Sequence, residues 1–173
     1  ANTQTTIVDN NGATPFTEDI NDYQPNPTGG HTVSIFSRRI VAGDPTSYAF
    51  TSGTSDRWSI VAVTIQEPNV NSIYDVAPNT ANAANADNSS ASTINAPSIT
   101  TISVNAIHIV CGYFDDGVAG NPSGPAGYTL AAADNDEPQG VFYKTIASPA
   151  ATGAQTVTGT TTAPRIALSF AIK

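Results

Sequence analysis

Apolar residues recur along this chain at every second position, in short runs separated by Gly, Pro, Asn and Thr, and nowhere at the three-to-four spacing of an amphipathic helix. Residues 32–41 alternate cleanly, with Val33 and Ile35 on one face and Phe36, Arg38 and Ile40 on the other. Residues 57–66 set Trp58, Ile60, Ala62 and Thr64 opposite Val61, Val63 and Ile65. Both faces are partly apolar, which predicts a central strand. The longest strand is expected over 99–114, with Ile102, Val104, Ala106, His108 and Val110 on one face and Ile107, Ile109 and Cys111 on the other. Shorter strands are expected at 5–9, 16–19, 47–51, 128–132, 141–146, 155–158 and 165–172. Turn signals stand at Asn10-Asn11-Gly12, Gly43-Asp44-Pro45 and Asp115-Asp116-Gly117. Residues 20–30, with Pro25, Pro27, Gly29 and Gly30, read as loop, and the Asn/Ala/Ser tract at 78–92 reads as an exposed low-complexity loop.

The two ends of the chain read as versions of one another. Residues 31–65 and 140–172 each hold an aromatic-containing strand ending in a base, a Gly/Pro/Thr-rich link, and an Arg that opens a long apolar strand. Arg38 and Arg57 stand 19 positions apart, and Lys144 and Arg165 stand 21 apart. Such an approximate repeat is expected of a two-sheet β fold built from similar halves. The halves are not equal. The long 99–114 strand precedes Tyr128-Thr129, whereas only the short 5–9 stretch precedes the matching Phe16-Thr17. One strand is therefore expected to be missing from the N-terminal half, leaving an edge that a strand or arm from a neighbouring subunit could fill; a processed or truncated N-terminus would give the same sequence.

At 173 residues a single β-sandwich domain is expected, with 1–30 as an N-terminal arm and loop. Only 12% of residues are charged, against the usual quarter or so, and Thr, Ser and Asn carry the polar share. A net charge of −8 with six Lys and Arg argues against nucleic acid as a partner, because phosphate binding needs a basic face. No apolar run reaches the ~18 residues of a membrane span, so no membrane insertion is expected. Nor does a basic segment followed by an apolar one open the chain, so no signal peptide is expected in this form. The lone Cys111 cannot form an internal disulfide and reads as a small core residue.

Few residues point to chemistry. His31 follows two glycines and reads as an exposed strand start, while His108 alternates with Val and Ile and reads as a hydrogen-bonded core histidine. Ser and Asp are plentiful, but no nucleophile elbow accompanies them, so a Ser-His-Asp triad has no support. Asp115-Asp116 and Asp134-Asn135-Asp136-Glu137 are oxygen-rich turns. Asp115, Asp116, Asp134 and Asp136 are the candidate Ca²⁺ ligands, although the EF-hand spacing is lacking and solvated turn chemistry is the simpler reading. One Cys and two separated His make no zinc site. No phosphate loop is present, and no carboxylate pair is singled out for glycoside hydrolysis. Asn88-Ser89-Ser90 fits a glycosylation sequon. Tyr23, Tyr74, Tyr113, Tyr128 and Trp58 include the residues that would stack on a sugar.

The segments His31–Arg39, Asp44–Phe50 and Trp58–Val63 resemble the first half of a β-sandwich domain frequent in phage virion proteins. Pro97–Thr101, Phe114-Asp115-Asp116, Gly127-Tyr128-Thr129 and the final Arg165–Lys173 segment resemble its second half. The likeness spans roughly 14–173 and rests on packing patterns; the long apolar strand that usually opens the family is lacking here. The resemblance implies an all-β, jelly-roll-like antiparallel sandwich and a non-enzymatic structural protein. Its place would be a virion or extracellular, as a capsid decoration or appendage subunit contacting copies of itself or other virion proteins. It carries over no catalytic residues. The alternatives are a module binding a glycan or a host surface, with Ca²⁺ in the acidic loops, and a subunit of an extracellular filament joined by strand exchange.

Overall fold

Twelve strands and one short 3-10 turn (Thr80–Asn82) form the secondary structure of this computed structural model, which describes residues 7–9, 15–24, 31–52, 59–66, 72–86, 91–115 and 118–173. Every strand pair is antiparallel, and no α-helix occurs among the described residues. The architecture is all-β and β-sandwich-like. The chain divides into two compact units, Ala1–Trp58 and Ser59–Lys173.

In the first unit, β1 (Ile7–Asp9) pairs with β4 (Phe50–Ser52), and β2 (Thr17–Gln24) pairs with β3 (His31–Ser37). Rings supply its apolar contacts. Phe16 packs edge-on against Tyr48 and Phe50 at 5.0 and 5.2 Å, and Phe36 lies 5.4 Å from Phe50. β3 stops at Ser37, short of the expected 41, because Arg38 leaves the ladder to bond Asp44 and cover the Tyr48 ring. Asp44 in turn accepts from the Val41 amide, closing a turn in which Gly43 takes φ +91°. The expected 20–30 loop is corrected at its start, where β2 continues to Gln24. Its polar residues Asp22, Tyr23 and Gln24 are drawn into pairing by the register with Val33, Thr32 and His31.

The second unit is built on a six-stranded sheet in the order β5-β12-β8-β10-β9, with β6 also paired to β12. Its members are β5 (Tyr74–Val76), β6 (Ala83–Ala86), β8 (Ala106–Phe114), β9 (Thr129–Asp134), β10 (Gln139–Ile146) and β12 (Arg165–Ile172). A two-stranded sheet of β7 (Thr93–Ala96) and β11 (Gln155–Thr158) supplies Ile94, Ala96 and Val157 to a core with Val110, Phe114, Phe142, Ala163 and Ala167. All eight residues of β12 are buried, as a strand covered on both faces should be. Gly112 makes the close layer contact possible. A Cβ there would stand 2.7 Å from Val157 Cγ1. Arg165 is buried at the mouth of β12, its Nε donating to Thr93 O (2.7 Å) and its Nη1 to Ala163 O (2.8 Å). The base that opens this strand is therefore a joint between β7 and β12.

Three expectations need correction here. The 99–114 strand begins only at Ala106, because Asn105 takes the left-handed φ of +56° and breaks the ladder. Ile102 and Val104, expected to share a strand face with His108 and Val110, lie outside the strand and are each 68% exposed. The predicted central strand at 57–66 is not a strand over its described part. Ser59–Gln66 joins no sheet, and Ile60, Val63 and Ile65 are 52, 40 and 38% exposed. Within the 78–92 tract, Ala83–Ala86 pairs with Arg165–Leu168 as β6, so this stretch is a sheet edge and not a loop. β7 is a strand that alternation alone did not single out. Trp58, Asp116, the Asn10-Asn11-Gly12 turn and the Asn88-Ser89-Ser90 sequon lie outside the described residues.

Candidate functional site

A polar line lies inside the second unit. The pairing of β8 with β10 and β12 puts His108, Lys144 and Ser169 on the face that carries Val110, Phe142 and Ala167. His108 and Ser169 are fully buried. His108 Nδ1 stands 2.5 Å from the Tyr128 hydroxyl, and its Nε2 stands 3.2 Å from Ser169 Oγ. The shorter contact assigns the phenol as donor to Nδ1, which leaves the Nε2 proton for Ser169. Burial is the main force holding His108 down to about 4, and the Lys144 charge adds to it. Burial also pushes the Tyr128 hydroxyl up to about 12, and the Lys144 ammonium sits 5.6 Å from its ring centre. The Ser–His–Tyr order has the connectivity of a nucleophile relay, but Ser169 has no exposed surface for a substrate to meet. The line satisfies polar groups of β8, of β12 and of Tyr128, which stands just before β9. His108 thus meets its expectation as a hydrogen-bonded core histidine.

The acidic loops are organised by their own backbone. In the turn joining β9 to β10, Asp134 Oδ1 accepts from the Asp136 amide (3.0 Å). Its Oδ2 accepts from Ser59 Oγ (2.7 Å), which also contacts Gln139 Oε1 at 2.8 Å. One hydroxyl proton serves the carboxylate, and the second contact is satisfied with the Gln139 amide turned to donate. The Ser59 bond is the first cause that holds Asp134 below the usual carboxylate range, aided by the Asp136 amide. Asp115 lies at the end of β8, where its amide donates to Pro164 O (2.9 Å). Among the described residues no group of three or more His, Cys, Asp or Glu is arranged to hold a metal ion. Of the four candidate Ca²⁺ ligands, Asp134 and Asp136 share one turn, Asp115 stands on another, and Asp116 is not described.

Ser59 is the residue that sequence reasoning missed. A serine opening an apolar run carries no signal of a bond to residues 75 and 80 positions away. The structure also leaves backbone on offer. β9 ends the large sheet, with Thr129, Leu130 and Ala131 exposed, and Ile60–Gln66 leaves the Ser59 tie without a sheet of its own. Cys111, on β8, is a free thiol that burial pushes up to about 12. No helix among the described residues is long and apolar enough to cross a membrane. Set against known protein-family models, curated proteins and solved structures, the chain matches none of them.

Proposed function

We propose that this chain is a non-enzymatic structural protein of a phage virion, a capsid decoration or appendage subunit, working through contacts with copies of itself or with other virion proteins. The fold we assign it is a jelly-roll-like sandwich with an approximate internal repeat. The two-layer packing of β7 and β11 on β8 and β12 supports the sandwich, and the similar placing of Lys144 and Arg165 against Arg38 and Arg57 in the sequence supports the repeat. One observation carries the functional reading. The residues with reactive groups face inward as a closed hydrogen-bonded line, while uncharged β-forming backbone is presented outward at Ile60–Gln66 and along β9. Surfaces of that kind favour strand-to-strand contact. The glycan-binding alternative draws less support, because both oxygens of Asp134 are already engaged within its own unit.

Two measurements test this. Sedimentation of the purified chain should show concentration-dependent association, and mass spectrometry of purified virions from the source should find the chain in stoichiometric amount. A chain that is monomeric at all concentrations and missing from the particles would refute the reading.

A further inference from the structure

The large sheet of the second unit carries buried apolar residues on both faces. The β7–β11 layer covers the face of Val110, Phe142 and Ala167. Strand alternation puts Ile109, Cys111, Val141, Leu168 and Phe170 on the other face, and all of these but Cys111 are buried. Asp134 and Gln139 belong to this second face as well. They are opposite one another in the β9–β10 ladder, and Gln139 is opposite Tyr113, two positions along β8 from Cys111. Ser59 Oγ stands 2.7 Å from Asp134 Oδ2 and 2.8 Å from Gln139 Oε1, so residues 59–66 begin on that face.

The segment is held there by little. Ser59 and Val61 are half-buried, whereas Ile60, Ala62 and residues 63–66 are exposed, the alternation of an extended chain that lays one side on a surface. It joins no strand pair and makes no backbone hydrogen bond to another described residue. Its hold is the Ser59 hydroxyl and the inward side of Val61, against the long ladders that join β8 to β10 and β12. Elements with few apolar contacts and no ladder open locally far more often than the whole domain unfolds.

We propose that residues 59–66 are a removable strap over the second face of the large sheet. Release of the Ser59 bonds lifts the segment and uncovers Cys111, with Val141 and Leu168 beside it, while the sheet stays folded. The row of Ala132, Val141, Cys111 and Leu168, each opposite the next, is the neighbour on this face of the row that Ser59 bonds. The β9–β10 turn is the fixed catch, because the Asp136 amide holds the other oxygen of Asp134 and fixes its carboxylate. The segment is the moving part. Such a strap keeps apolar surface out of water and leaves it reachable without global unfolding. It does not depend on the assembly proposed above.

Cys111 is the chain's one cysteine, so labelling of the full chain by an uncharged thiol reagent at pH 8 reads the strap directly. Ser59→Ala should speed that labelling about tenfold, the factor expected for one hydrogen bond to a charged acceptor, with the urea midpoint little changed. Val61→Ala, which removes the inward valine side chain, should speed it too. Ser59→Thr keeps the hydroxyl and should label at the wild-type rate. Val157→Ala weakens the core on the opposite face, so it should lower the urea midpoint and leave labelling alone. Ser59→Ala labelled at the wild-type rate would overturn the strap. So would labelling that follows the urea midpoint through all four variants, or a wild-type chain labelled as fast as the urea-unfolded one.

Discussion

At the scale of single residues, His108 shows how a buried base ties stability to pH. Its unfolded value is near 6.5 and its folded value about 4, because burial and Lys144 both oppose the imidazolium. Between those values the unfolded chain binds the proton that the folded chain refuses, so stability rises with pH across that window. Acidifying from pH 7 to pH 4 should remove on the order of 3 kcal/mol through this residue alone. Urea midpoints measured at both pH values should show a smaller acid loss in His108→Gln than in the wild type; equal losses would show that carboxylates carry the effect. Gly112 sets a steric limit in the same layer. Gly112→Ala puts a methyl into Val157 and should cost ~1–3 kcal/mol, read from the denaturation midpoint. The alternation of His108 with Val and Ile was enough to bury it. Its partners were not legible, because Tyr128 and Ser169 come from 20 and 61 positions away.

At the scale of elements, some strands were read correctly from sequence and others were not. β11 and β12 fall where alternation put them, at Gln155–Thr158 and Arg165–Ile172. β6 did not, since Ala83–Ala86 has no apolar pattern and becomes a strand only because β12 offers it a row of backbone partners. Residues 59–66 fail in the opposite direction. They have the composition of a strand, yet Ser59 holds the start of the segment to the face of the β9–β10 hairpin. Ser59→Ala should release that start. The Asp134 carboxyl should then titrate at a higher pH in an NMR experiment, because its chief stabilising bond is lost, while global stability falls by only ~1 kcal/mol. An unmoved Asp134 titration would mean that the backbone amides of its own turn set its acidity.

At the scale of the whole molecule, the chain combines a weakly charged, acidic surface with a core closed around β8 and β12. Cys111, half-buried on the β8 face that does not carry Val110 and Phe114, has a thiol that burial pushes up to about 12, so a thiol reagent at pH 8 should label the native protein slowly. Rapid native labelling would place the thiol at an open surface.

What the sequence determined alone was the class and the temper of the protein. Two-residue periodicity imposed strands, Gly, Pro and Asn imposed turns, and a single cysteine ruled out a disulfide within the chain. These are local properties, set by a residue and its near neighbours. Tertiary structure decided which strand-like segment joined a sheet and which was left outside, which Ala/Asn stretch was recruited as an edge, and which groups satisfied His108 and Asp134. Those outcomes depend on backbone and side-chain partners far along the chain, and alternation carries no record of them.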